Sequence, residues 1–195
     1  MRAKVVATAT LVSNGLQALA PAAALAPNGR FWIRNGLGEV SAVKIATQRT
    51  SHGLALLDLV QKVPAGELAR TQAIASPGSV GFAVEFLAQA DAQPAWPMLK
   101  SGFIGTAQRE IGMRRLGIEL GRAGARGGPV FNAGGLLAGV AVASTGLDLL
   151  ATTPVLEHAF GRRLFAEPPA TAPVHQGLDA IYETALAVTL QLIRA

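Results

Sequence analysis

Apolar residues in this chain come in short runs broken by turn chemistry. Lys4 to Val12 reads as a strand that stops at Ser13-Asn14-Gly15, a strong turn signal. Phe31-Trp32-Ile33-Arg34 lies between Pro27-Asn28-Gly29 and Asn35-Gly36, and Val40 to Ala46 and Leu54 to Val60 follow as further strands. Val80 to Leu87, Gly102 to Ala107, Leu116 to Leu120, Pro129 to Asn132 and Leu136 to Ser144 continue the series. Asn132-Ala133-Gly134-Gly135 joins the last two as a tight hairpin. Short strands at regular spacing with Gly and Pro turns predict an all-β sandwich or barrel. Val155, His158, Ala159 and Leu164 have helical spacing, so Pro154 to Phe165 is expected as a short helix.

The C-terminal segment supports two readings. Gly177 to Leu186 has a helical pattern, and Ala187 to Ala195 can either prolong it as one plain helix, Leu178 to Ile193, or turn into a strand. Alternation from Val188 to Ile193 favours the strand. The Pro-rich stretch from Glu167 to Pro173 separates this segment from the rest.

Composition narrows the class. The chain has 195 residues, ample for a real core, and 50% of them are hydrophobic. Much of that fraction is Ala, and no run reaches the roughly 18–20 apolar residues of a membrane-spanning helix. The absence of Cys excludes disulfides, thiolate metal sites and a cysteine nucleophile. The start imitates a secretory leader, with basic Arg2 and Lys4 and an Ala-x-Ala pattern at Ala18-Leu19-Ala20. Thr8, Thr10, Ser13 and Asn14 interrupt the apolar part, which favours the strand.

The net charge of +5 is concentrated. Lys100, Arg109, Arg114, Arg115, Arg122 and Arg126 are opposed in that stretch by Glu110 and Glu119, a local +4. Such a field favours acidic peptides, anionic surfaces or nucleic acid. The plain reading is a solvated face, because nucleic-acid readers interleave aromatics and aromatics are 5% of this chain.

One segment carries chemical information: Gly124-Ala125-Arg126-Gly127-Gly128-Pro129-Val130-Phe131-Asn132. It resembles the Gly-Asp/Asn-Ser-Gly-Gly-Pro nucleophile loop of trypsin-like serine proteases, with arginine in place of serine. Other segments follow in the family's order. Ala7 to Ser13, Asn14-Gly15 and Ala18 to Ala24 resemble the first strands of the bacterial stress-protease (HtrA-like) type, with the family's histidine position falling on Ala22. Gly53-Leu54-Ala55-Leu56-Leu57 resembles its Asp-Leu-Ala-Leu-Leu segment, with the aspartate position on Gly53. Gly102-Phe103-Ile104 resembles the opening of the second barrel, and Leu136 to Val140 the strand after the nucleophile loop. The resemblance spans residues 5 to 165. It implies two packed six-stranded β-barrels, the first over 1–75 and the second over 76–165. It also implies that residues 176–195 supply the first barrel's missing opening strand, through a circular permutation, a strand-exchanged homodimer, or the start of a following tandem domain.

The departures fall where the chemistry would be. A serine hydroxyl needs an imidazole to take its proton, and the imidazole needs a carboxylate to hold it. Ala22, Gly53 and Arg126 can do none of this. His52, His158 and His175 are scattered, which argues against both a rebuilt triad and a metal site.

What the resemblance implies is therefore a pseudoprotease, with no cofactor, that binds an extended peptide or protein segment through a strand edge in its cleft. Arg126 and Arg122, with the amides of Gly124, Gly127 and Gly128, are the candidate contacts for acidic groups. The loop glycines can equally be structural, and Arg126 can fold over the cleft and plug it, against Glu119 or Asp58. The other readings are an anion- or metal-binding domain, a protease with a non-standard catalytic set, and a structural remnant in a larger assembly. The family resemblance favours an extracytoplasmic setting.

Overall fold

The structure, a computed structural model, describes residues 3–195 apart from 67, 73–74, 88–90, 109–111, 122–125, 145 and 172–174, and for 45–48 the backbone alone. Its strands are β1 (Lys4–Val12), β2 (Gln17–Pro21), β3 (Phe31–Asn35), β4 (Val40–Ser51), β5 (Leu54–Leu59), β6 (Ser79–Glu85), β7 (Met98–Ala107), β8 (Arg114–Gly117), β9 (Pro129–Asn132), β10 (Leu137–Ser144), β11 (Leu147–Thr152) and β12 (Thr189–Arg194). Two helices, α1 (Thr153–Phe160) and α2 (Leu178–Val188), lie between β11 and β12.

The strands close into two antiparallel barrels, ordered β1-β12-β3-β4-β5-β2 and β10-β11-β8-β7-β6-β9. The two-barrel, all-β expectation holds. β3 shows the cause in miniature: Phe31, Ile33 and Asn35 are buried while Trp32 and Arg34 are partly exposed, the period of two that a barrel wall requires. One buried cluster runs from Leu11, Leu19 and Ile33 in the first barrel to Phe131, Leu137 and Val142 in the second, so the barrels share a core. A smaller cluster around Ile104, Ile118 and Leu150 fills the second barrel.

Turn residues set the strand ends. Ser13, Asn14 and Gly15 all take left-handed backbone conformations, with φ of 51°, 52° and 83°. Gly15 is required there, because a Cβ would run into the carbonyl of Val63, whose amide bonds to Gly15 O at 2.9 Å. In the β9–β10 hairpin, Asn132 Oδ1 accepts from the amides of Gly134 and Leu136 at 3.0 and 2.9 Å.

Several boundaries differ from the sequence expectation. β4 runs on to Ser51, β7 begins at Met98, and β8 is Arg114–Gly117 rather than 116–120. Strands β2 and β11 were not expected from local pattern. Helix α1 stops at Phe160, because Gly161 turns the chain out of helical geometry at φ 120°. The plain C-terminal helix is overturned: the helix ends at Val188 and the chain continues as β12 between β1 and β3.

Candidate functional site

The three positions singled out from the sequence come together at the junction of the barrels. Ala22 opens a 3-10 turn, Ala22–Ala24, directly after β2. Gly53 is the second residue of the His52-Gly53 turn joining β4 to β5, with φ of 52° and 75°, the conformation of a tight hairpin. The Ala22 amide donates to Gly53 O at 2.9 Å. Gly127 lies against the same corner, where a built Cβ would stand 2.5 Å from Thr8 O and 2.7 Å from Pro21 Cδ. Thr10 Oγ1 donates to Gly127 O at 2.7 Å, and the Ala141 amide donates to Gly128 O at 2.9 Å. β1 and β10 thus fix the loop on both sides. Arg122 and Gly124 lie outside the described residues.

Arg126 points toward β11 of the second barrel. Its Nε stands 2.6 Å from Asp148 Oδ1 on β11, and both side chains are largely buried. Neither Glu119 nor Asp58 is the partner, as the sequence had suggested; Asp58 instead accepts from Gln17 Nε2 at 2.7 Å. The pair is short, but the Nε–H is not aligned as a good hydrogen bond. Glu85, also buried, lies nearby, accepting from the Gly121 amide at 2.7 Å and pairing with Lys100 Nζ at 3.0 Å. Burial pushes the Asp148 carboxyl above its ordinary range, Arg126 pulls it down, and Glu85 pushes it up. Desolvation therefore outweighs the ion pair. Asp148 and Glu85 were missed at the sequence level; each is a lone acid in an apolar strand, and β11 itself had gone unrecognised.

The basic stretch is not a row of free cations. Lys100 is tied to Glu85, Arg126 to Asp148, and Arg114 Nη1 donates to Gly105 O at 3.2 Å. Arg109 and Arg122 are outside the described residues.

The histidines sit on three separate segments: the β4–β5 turn, α1 and the segment before α2. Among the described residues no three His, Asp or Glu side chains converge as a metal site would need. A Ser/His pair does lie within hydrogen-bond reach, Ser51 Oγ and His52 Nδ1 at 2.7 Å. The left-handed turn at His52 brings the two adjacent side chains together, which strand alternation would have kept apart. Among the described residues no carboxylate hydrogen-bonds the ring.

What the cleft does offer is backbone. β10 pairs with β9 as far as Val140, and the next amide, Ala141, is taken by Gly128. Val142, Ala143 and Ser144 pair with Leu149, Asp148 and Leu147 of β11, and among the described residues their other edge has no strand neighbour. A Cβ on Gly53 would stand 3.2 Å from Val142 Cγ1, so this edge begins at the cleft. A separate cavity of about 560 Å³ opens near Ser13, Leu68, Arg163 and Phe165 and touches none of Ala22, Gly53 and Arg126.

Asp148 and Glu157 give a pH prediction. Burial also raises the Glu157 carboxyl, against the pull of Arg70, whose Nε is 3.2 Å away. An acid raised in the folded state binds its proton there first, so its cost to stability is full at neutral pH and is relieved as pH falls through the native pKa toward the unfolded value. Urea midpoints of the protein relative to an Asp148→Asn, Glu157→Gln variant should rise on moving from pH 7 into that range. A difference that falls on acidification would contradict the assignment.

No protein-family model matches the sequence, and no curated protein is similar to it at the sequence level. Solved structures are similar in fold. The serine endoprotease from Yersinia pestis superposes with a TM-score of 0.64 at 15% identity over 78% of this chain, which spans 55% of that one. The MamO protease domain from Magnetospirillum magneticum, in its apo form, gives a TM-score of 0.55 at 18% identity, covering 80% of this chain and 88% of that one. Among the described residues no helix is long and apolar enough to cross a membrane. Two closed six-stranded barrels packed on a shared core and these likenesses identify the chain as having the fold of the trypsin-like serine proteases.

Proposed function

We propose that this domain is a pseudoprotease that binds an extended peptide or protein segment without cleaving it. The observation that carries the reading is the pairing of two features in one cleft. Ala22, Gly53 and Arg126 converge with no nucleophile, base or holding carboxylate among them, while the edge of β10 at Val142–Ser144 has no strand neighbour among the described residues. A peptide added along that edge would gain main-chain hydrogen bonds, the mode of strand addition. The two solved structures named above are a serine endoprotease and a protease domain, which fits a peptide-binding role.

Arg126 changes the expected ligand. Its guanidinium already serves Asp148, so the cleft has less reason to select acidic peptides than the sequence suggested. The net +5 still steers acidic partners at long range. Recognition rests on the strand edge, with Gly127 and Gly128 shaping its wall.

The test is heteronuclear NMR titration with extended peptides of varied charge. Shifts should cluster at Gly127, Gly128 and Val142–Ser144, and no peptide should be hydrolysed. An Arg126→Ser variant should remain without hydrolytic activity, because Ala22 and Gly53 still supply neither base nor holding group. Turnover by the parent protein that is lost in Ser51→Ala or His52→Ala would replace this reading with a non-standard catalytic pair. Shifts confined to the basic face would replace it with anion binding.

The same proposal extends to connectivity. β12 seats between β1 and β3 with Arg194 opposite Lys4, so the ends of the outermost paired strands are hairpin neighbours. That placement supports a circularly permuted strand order.

A further inference from the structure

The seat of β12 is specified by polar groups as well as by strand pairing. Gln191, fully buried and opposite Arg34, accepts from Arg34 Nε at 2.8 Å and donates from Nε2 to Gln93 O at 3.1 Å. Arg34 Nη2 donates to Ala92 O at 2.6 Å. A register slip of one residue would face a leucine toward these groups and Gln191 toward the apolar core. Helix α2 adds three ties: Tyr182 Oη donates to Pro97 O at 2.7 Å, Asn35 Nδ2 to Ala187 O at 3.2 Å, and the Gly36 amide to Leu186 O at 2.8 Å. The helix and strand dock as one unit on the first barrel and on the β6–β7 connection of the second.

β1 connects this unit to the cleft. Thr8 and Thr10 stand opposite Gln191 and Thr189 of β12. Their hydroxyls reach the other way, into the barrel junction. Thr10 Oγ1 donates to Gly127 O, and Thr8 Oγ1 accepts from the Phe86 amide at 2.9 Å. β12, β1 and the Arg126 loop are therefore consecutive members of one hydrogen-bonded stack.

We propose that the helix–strand unit of residues 178–194 is a clasp that holds the cleft loop in its Arg126-paired form. With β12 seated, Thr8 and Thr10 are held where they anchor Gly127 and Phe86. With β12 unseated, β1 loses a flanking strand and the loop loses its anchor. The tether carrying the unit contains Pro168, Pro169 and Pro173, and is bonded through Glu167 to Arg70 and through the Gln176 amide to Ala133 O.

The absence of native Cys makes a direct test simple. Lys4→Cys with Arg194→Cys places two thiols at opposite positions of an antiparallel pair, whose Cα separation of roughly 4.5–5.5 Å suits a disulfide. Amide hydrogen exchange is then compared between the oxidised and reduced forms of the same full chain. Oxidation should slow the Phe86 and Ala141 amides together with those of β12, by roughly tenfold or more. Amides that pair β7 with β8 in the second barrel should be unchanged. The clasp is refuted if β12 slows while Phe86 and Ala141 do not, or if every amide slows alike, which is a global effect. It is also refuted if the disulfide fails to form or joins two chains, since the strand would then be seated otherwise.

Discussion

Gly128→Ala should abolish or nearly abolish folding of this domain. An added Cβ would lie far inside contact distance of Val84 O, a main-chain atom of buried β6, with Thr8 Cγ2 a further 3.2 Å neighbour. Neither can move freely. Val84 is held by pairing with Leu99, and Gly128 O is held by the Ala141 amide. Overpacking against immovable backbone costs on the order of 3 kcal/mol or more, a large part of the stability of an ordinary domain. Thermal unfolding and amide dispersion in a heteronuclear spectrum would show it. Gly66→Ala is the matched control, because its Cβ would meet nothing within 4 Å, and its stability should stay within about 0.5 kcal/mol of the parent. A stable, well-dispersed Gly128→Ala protein would mean that the loop does not sit against β6 as described.

Removing the two partners of the Arg126–Asp148 pair should have unequal effects. Desolvation already outweighs attraction at Asp148, so Asp148→Asn is expected to change stability by less than about 1 kcal/mol, the amide oxygen still facing Arg126. Arg126→Met leaves Asp148 beside Glu85 without its cation, and should cost about 2–3 kcal/mol at neutral pH. That deficit should shrink as pH falls through the raised Asp148 pKa, because protonation removes the uncompensated charge. Arg126→Met with Asp148→Leu should recover parental stability or exceed it. Urea denaturation of the four proteins at two pH values makes the comparison. Equal losses from both single variants, insensitive to pH, would show that the pair is stabilising and that burial is not the dominant influence on Asp148.

Much of this molecule could be read from its residues in order. The alternation in Phe31 to Asn35, the turn chemistry at Ser13-Asn14-Gly15 and the hairpin at Asn132 to Gly135 are local signals, and local signals survive in one dimension. β11 escaped because Leu147 to Thr152 has one acid in an apolar run and lacks a clear alternation. Helix α1 was drawn too long because its apolar spacing continues past Gly161, whereas the backbone at Gly161 does not. The C-terminal segment stayed open between helix and strand because both periods fit a short apolar stretch.

The sequence by itself determined the all-β class, because strand period and glycine-rich turns are properties of neighbouring residues; the two-barrel reading rested on the family resemblance of its segments. It also determined which side chains occupy Ala22, Gly53 and Arg126. Only the tertiary structure decided what those side chains meet. Asp148 became the partner of Arg126 because β10 and β11 pair in a register that sets Asp148 beside Ala143 at the cleft. Ser51 and His52 came within reach because a hairpin turn bent the backbone into a left-handed conformation. β12 found its seat because Gln191 matches Arg34 and the Gln93 carbonyl of the β6–β7 connection, both far from it in sequence. Each outcome depends on groups that only closed barrels bring together.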